Sequence, residues 1–145
     1  MLVRLMYASR TAESFKPEGL TAILRKSTAH NPAVGITGVL CFSGDVFLQV
    51  LEGGRLQVST LYNRIAADPR HRDVVLLSYE EIAERSFAGW AMGQVNMKML
   101  NPALLLKYSE AAVLDPYAVS GKVSMALFNE LVATASVMCL GSSGA

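Results

Sequence analysis

The order of strand-like and helix-like segments predicts an α+β fold with a mainly antiparallel sheet. Three observations carry this prediction. Short runs of alternating apolar residues are typical of strands, two segments between them repeat at helical spacing, and a turn signal joins two of the strands directly. A length of 145 residues without an evident internal repeat favours one domain around a single two-layer core.

The first part of the chain predicts three strands, which are residues 2–9, 34–42 and 46–52. A proline in the first helical turn, at Lys16-Pro17, predicts a helix that runs to about His30, and Pro32 is expected to end it. The residues Ser43-Gly44-Asp45 predict a hairpin between the second and third strands.

The second part predicts a helix from Gly53-Gly54 to about Asp68-Pro69, then strands at residues 72–82 and 89–97. Two further helices are expected to start at Asn101-Pro102 and Ser120. The resulting order, βαββαββ, is that of a ferredoxin-like sandwich with a five-stranded mixed sheet, two helices on one face and two C-terminal helices. We therefore expect one domain at residues 1–97, a helical extension at 98–140 and a flexible tail at 141–145.

The apolar stretch at residues 123–140 predicts a packed helix. Asn129 and Glu130 interrupt its apolar character, which argues against a membrane span. Two placements remain open for this helix, either on the outer face of the sheet or at a subunit interface.

The composition excludes several classes of function. A net charge of +1 with scattered basic residues argues against nucleic-acid binding, which needs a concentrated basic face. Apolar residues make up 52% and charged residues only 17%, so we expect a ligand or a second copy of the chain to cover apolar surface. Two distant cysteines predict neither disulfides nor a thiolate metal site, which fits a cytoplasmic protein. Arg4 and Arg10 come too early for a signal peptide.

One polar residue is out of place in the third predicted strand. Alternation puts Gln49 on the same face as Phe47 and Leu51, whereas Glu52 stands at the strand end, where it is expected to reach water. An unpaired buried amide costs about 1–3 kcal/mol, so Gln49 must have partners. These are either backbone groups and a buried water, or Tyr7 of the first strand, which commonly lies beside the third strand in this order.

Other polar and aromatic residues are candidates for the same cleft. Asn31 stands where the first helix ends, and Arg70 beside His71 suits a planar, carbonyl-rich or phosphate-bearing ligand. Asp68 is expected in a solvated turn. The spacing of two between Trp90 and Met92 predicts that they share one face of the fifth strand.

Five segments together resemble one family, the BLUF domain, which senses blue light with a flavin. They occur in the order and spacing of that family between about residues 3 and 96: "RLMYAS" with Tyr7, "HNPAVGITGVL", "FLQVLEG", "DPRHRD" and "FAGWAM". The C-terminal part is similar to the helical extension of short, stand-alone BLUF proteins.

The resemblance implies non-covalently bound FAD between the two helices, with FMN and riboflavin as alternatives that carry the same ring. Tyr7 and Gln49 would be the photoactive pair, and Trp90 or Met92 would occupy the remaining side of Gln49. The implied cofactor contacts are Tyr7, His30, Asn31, Gln49, Arg64, Asp68, Arg70 and His71.

The resemblance also implies a function without catalysis. Light would drive electron and proton transfer from Tyr7, and a rearranged Gln49 would signal through the fifth strand and the C-terminal helices. The receiver would be a separate protein, such as a cyclic-dinucleotide enzyme or a response regulator.

Two alternative functions stay open. A small enzyme on this fold, such as an acylphosphatase-like hydrolase or a flavin reductase, would need a phosphate-cradling loop or a path for a second substrate, and the sequence shows no such loop. A passive interaction module would need neither the amide nor the phenol.

Overall fold

The computed structural model describes residues 1–13, 15–134 and 137–139. Within these residues six strands and four α-helices follow one another, with one 3-10 turn at Met97–Met99. Their bounds are β1 Leu2–Thr11, α1 Pro17–Val34, β2 Thr37–Ser43, β3 Val46–Gly54, α2 Arg55–Ala67, β4 His71–Ile82, β5 Gly93–Val95, α3 Pro102–Tyr108, α4 Gly121–Thr134 and β6 Val137–Cys139.

The six strands form one sheet in the order β4-β1-β3-β2-β5-β6. All neighbours are antiparallel except β2 and β5, which run parallel. The ferredoxin-like α+β prediction is therefore confirmed, and β6 adds a sixth strand at one edge. The expected hairpin lies between β2 and β3, where Gly44 adopts a left-handed conformation with φ of 63°.

The sheet separates two hydrophobic cores. On the inner face, Leu24 of α1 and Val58 of α2 pack against Val3, Leu5 and other residues of the strands. On the outer face, the buried apolar side chains of α4 pack against the strands, and they are Leu127, Phe128 and Leu131. Side chains alternate between the faces because successive residues of a strand point in opposite directions.

Helix α4 packs on the outer face of the sheet. Its first turn lies directly on β4, because a Cβ added to Gly121 would stand 1.8 Å from the Leu77 carbonyl oxygen. The prediction of one helix over residues 123–140 is wrong at its end, since α4 stops at Thr134 and residues 137–139 pair with β5 instead. The open edge of β5 supplies backbone partners to these residues. The expected tail at 141–145 lies outside the described residues. No helix in the described part of the chain has the length and apolar character needed to cross a membrane.

Helix α1 is longer than predicted, because Pro32 lies inside its last turn instead of ending it. The helix ends at Gly35, which has φ of 70° and ψ of 28°. Its N–H donates to the Pro32 carbonyl, and the Ile36 N–H donates to the Asn31 carbonyl at 2.9 Å. A left-handed glycine that satisfies the last carbonyls is a common helix end. Strand β2 consequently starts three residues later than residue 34, at Thr37.

The fifth strand is much shorter than residues 89–97 and spans only Gly93–Val95. Trp90 and Met92 precede it in a bent segment, so the spacing of two does not apply to them. Trp90 packs with the outer core and Met92 is buried in the inner core. The prediction that they share one face is therefore wrong.

Candidate functional site

A cavity of about 440 Å³ opens between α1 and α2 above the inner face of the sheet. This volume lies in the range of small-molecule and cofactor sites. All eight residues that the sequence nominated as cofactor contacts line it together, and these are Tyr7, His30, Asn31, Gln49, Arg64, Asp68, Arg70 and His71. Met92 lies behind this lining against Gln49, and Trp90 lies on the other side of the sheet.

The sequence did not nominate the rest of the lining. Ile23, Lys26 and Ser27 come from α1, and Leu61 and Ile65 come from α2. Lys26 and Ser27 lie four and three residues before His30, and Leu61 lies three residues before Arg64, so helical spacing is the signal that would have found these three. Ile23 and Ile65 lie one helical step further, at three or four residues from Lys26, Ser27 and Leu61.

Gln49 uses both ends of its amide. It is only 4% exposed, and Tyr7, its register partner on β1, is 2% exposed. The Tyr7 hydroxyl donates to Gln49 Oε1, and Gln49 Nε2 donates to Met92 Sδ at 3.1 Å. The partners of the amide are thus a phenol and a thioether, which agrees with the predicted meeting of Tyr7 and Gln49.

The phenol of Tyr7 is held in its neutral form. Burial raises its pKa far above the ordinary value, and nearby Tyr62 and Asp68 add to this direction. The Tyr62 ring lies against Tyr7, with the ring centroids 5.6 Å apart. At neutral pH Tyr7 is therefore a hydrogen-bond donor aimed at one acceptor.

Asn31 supplies a second amide at the end of α1. Its side chain is buried and lines the cavity, and Nδ2 donates to the Ala91 carbonyl at 2.8 Å. The expected projection of Asn31 toward the cleft agrees with this position. The bond also ties the cavity wall to the bent segment that carries Met92.

Asp68 and Arg70 form a compact ion pair at the cavity edge. Arg70 Nη2 lies 2.6 Å from Asp68 Oδ2, and the Arg70 backbone N–H donates to Oδ1 at 2.8 Å. Hydrogen bonding from Arg70 lowers the pKa of Asp68, and the same bond raises the pKa of Arg70. The expected turn lies at Pro69-Arg70 and Pro69 is exposed, but the Asp68 side chain is only 22% exposed and is engaged by Arg70.

His71 begins β4 and faces the same cavity. Its Nδ1 lies 2.7 Å from Ser9 Oγ, and its ring packs on Phe47 with the centroids 5.0 Å apart. Burial lowers the pKa of His71, so the imidazole is neutral at pH 7. Ser9 is a buried partner that the sequence did not nominate.

Glu52 departs most from expectation. We expected its side chain to reach water. Instead the side chain is fully buried and forms an ion pair with Arg4. The backbone N–H groups of Ser86 and Phe87, in the loop that follows β4, donate to its carboxylate, so this end of the strand is covered. In the described ranges, no group of three or more His, Cys, Asp or Glu side chains is placed to hold a metal ion.

Comparison with known proteins agrees with this site. The family "BLUF: Sensors of blue-light using FAD" matches residues 2–93. The photoactivated adenylate cyclase subunit beta of Euglena longa is 36% identical over 100 residues, a match that covers 68% of this chain and 12% of that protein. The chain thus spans only a small part of this curated relative.

Two solved structures are similar over most of both chains. BlsA in its photo-activated state is 31% identical with a TM-score of 0.82, covering 95% of this chain and 100% of that one. BlrB, a BLUF protein in its dark state, is 33% identical with a TM-score of 0.77, covering 91% and 95%. The family match and these likenesses together show that the chain belongs to the BLUF family, the sensors of blue light using FAD.

Proposed function

We propose that this protein is a blue-light photoreceptor that binds a flavin non-covalently in the cavity between α1 and α2. The observation that carries the proposal is the buried chain from the Tyr7 hydroxyl through the Gln49 amide to Met92 Sδ, next to that cavity. An amide with a donor end and an acceptor end, placed between two unlike partners, can exchange its hydrogen bonds without moving the backbone.

The lining suits a flavin. Aliphatic side chains from both helices, Ile23 and Leu61 among them, offer apolar surface to a planar ring. Asn31 and Arg70 offer donors to ring carbonyls, with His30 and His71 beside them. Lys26 and Arg64 are exposed cations in the lining, and they favour a cofactor with phosphates. We therefore assign FAD, the cofactor in the family description, over riboflavin.

The residues of the chain hold the hydroxyl proton of Tyr7 and fix the orientation of the Gln49 amide. A bound oxidised flavin supplies a strong electron acceptor when it absorbs blue light. Tyr7 is kept as a neutral phenol, and Gln49 Oε1 is the acceptor next to its proton. Met92 Sδ accepts from Gln49 Nε2 and offers no proton, so it favours the amide orientation described here. A reversed amide would set Oε1 against Sδ and lose that bond.

The output of the switch is proposed to leave through the segment before β5 and through the C-terminal helices. Residues 1–97 would form the flavin-binding domain and 98–140 the extension, which shares the outer core with the strands. The curated relative is named as a cyclase subunit, so we propose that a separate signalling protein reads the change here.

Large apolar side chains are exposed on the edge strand β4, and they support a homo-oligomer. These are Val75, Leu76 and Tyr79. The buried thiol of Cys41, whose pKa burial raises to about 12, fits a reducing cytoplasm.

An absorption spectrum in the dark, after blue light and during recovery tests the proposal. The protein loaded with FAD should be yellow, show a small reversible red shift, and lose that shift in Tyr7→Phe. Tyr62→Phe, which removes a hydroxyl from the neighbouring ring, should keep it. A protein that cannot take up FAD, or a Tyr7→Phe variant that still shifts, would contradict the proposal.

A further inference from the structure

Glu52 carries a charged group in a place where charge is expensive. Its side chain is fully buried at the end of β3. The carboxylate accepts from Arg4 Nε at 2.9 Å and from the backbone N–H groups of Ser86 and Phe87 at 3.0 and 2.7 Å. A buried carboxylate needs several good donors to offset its lost hydration. Two of these three donors are therefore backbone N–H groups of a loop that is remote in sequence.

The loop that Glu52 holds is the bent segment of residues 86–92. Backbone groups of this segment form hydrogen bonds with single residues elsewhere in the fold, and not with the regular partners of a paired strand. The Gly38 N–H donates to the Trp90 carbonyl at 3.0 Å, and Asn31 Nδ2 donates to the Ala91 carbonyl at 2.8 Å. Glu52 binds the start of the segment, and these two bonds bind its end.

The same segment has side chains on both faces of the sheet. On the outer face, the Phe87 ring stacks on Trp90 with centroids 6.1 Å apart and meets Phe128 of α4 edge-on at 6.0 Å. On the inner face, Met92 accepts from the Gln49 amide. A shift of the segment therefore changes the contact with Gln49 and the contact with α4 together.

We propose that Glu52 is a positioning residue for the light switch, which rests on the function proposed above. By binding the Ser86 and Phe87 N–H groups, it holds residues 86–92 so that Met92 Sδ faces Gln49 Nε2. Glu52 and Gln49 lie on the same strand, three residues apart and on opposite faces. The Gln49 amide and the Glu52 carboxylate, which positions Met92, thus lie on the same strand.

The test uses Glu52→Gln, in which an NH2 group must face one of the backbone or guanidinium donors. Glu80→Gln is the matched control, because Glu80 also pairs with Arg4, at 2.8 Å, but is half exposed and does not contact the loop. Glu52→Asp, which keeps the charge but draws the carboxylate back by one methylene, replaces Glu52→Gln if that variant does not fold.

The first readout does not depend on flavin. Trp90 is the only tryptophan, so its fluorescence reports on the segment directly. Without cofactor, Glu52→Gln should shift its emission to the red and increase its quenching by acrylamide, and Glu80→Gln should do neither. If the two variants quench alike, Glu52 does not hold the segment, whatever the wild type does in light.

The second readout is dark recovery of the FAD-loaded protein. Loss of the Met92 contact makes the original amide orientation less favourable, so Glu52→Gln should recover about 3- to 10-fold more slowly, the effect of roughly one hydrogen bond. In Met92→Leu the same substitution should change nothing further, because Glu52 acts through Met92. Effects that multiply, or a folded Glu52→Gln that recovers at the wild-type rate, would overturn the inference. A wild type without any light-induced shift would instead contradict the proposed function.

Discussion

Replacing Met92 by leucine isolates the thioether from everything else at the switch. Met92 is 2% exposed and packs in the inner core. Leucine has a similar volume, and such swaps in a core usually cost less than about 1.5 kcal/mol. The substitution removes the sulfur that accepts from Gln49 Nε2 at 3.1 Å and leaves the Tyr7 bond in place.

The size of the effect follows from that one bond. A typical hydrogen bond contributes about 0.5–1.5 kcal/mol net, which corresponds to a factor of about 2 to 12 in an equilibrium constant. With leucine at residue 92, the preference of the Gln49 amide for its described orientation should weaken by this factor. The rearranged state then persists longer after light, and its thermal recovery slows by a similar factor.

The assay is the recovery of the flavin absorption after a blue flash, at fixed temperature and pH. Met97→Leu is the control, because Met97 also meets a polar group, Cys41 Sγ at 3.3 Å, but lies with the outer core. It should recover as the wild type does. If folded Met92→Leu recovers at the wild-type rate, the thioether does not bias the amide and the reasoning is refuted.

Two further predictions concern stability. The pKa of His71 is lowered from 6.5 by burial, so below that value the unfolded state binds the proton more readily, and stability should fall between pH 7 and pH 5. Urea unfolding at several pH values should show this fall reduced in His71→Gln and unchanged in His30→Gln, where the side chain is exposed; equal slopes in the two variants would refute it. Gly121→Ala should destabilise the protein by about 1–3 kcal/mol, because its Cβ would collide with the Leu77 carbonyl, whereas Gly89→Ala meets no atom within 4 Å and should be near neutral in thermal unfolding.

Local patterns were sufficient for most of the fold. Alternation in the third strand predicted that Phe47, Gln49 and Leu51 share one face, and the order of elements offered Tyr7 as one of two possible partners of Gln49, the one that the structure confirms. The cavity residues were nominated by resemblance to the family, and the structure brings them to one cavity. Their individual roles remain predictions.

The failures have a common physical cause, which is long-range contact. Glu52 looked solvated because nothing near it in sequence shows that the N–H groups of Ser86 and Phe87 cover it. The segment before β5 looked like a strand because the hydrogen bonds that Glu52 and Asn31 make with its backbone cannot be read from its own residues. The helix at residue 123 appeared to continue because pairing with β5 cannot be read from Val137–Cys139 alone.

The strand order has a consequence for how a partner protein could act on the site. Gln49 lies on β3, which pairs with β1 on one side and with β2 on the other along most of its length. By contrast, β5 pairs with β2 through two residue pairs. Strand pairing thus holds Gln49 from both sides, whereas few backbone pairs hold the short strand that follows Met92. Under the proposed function, a partner protein that binds near β5 would therefore alter the contact between Met92 and Gln49, and with it the rate of dark recovery.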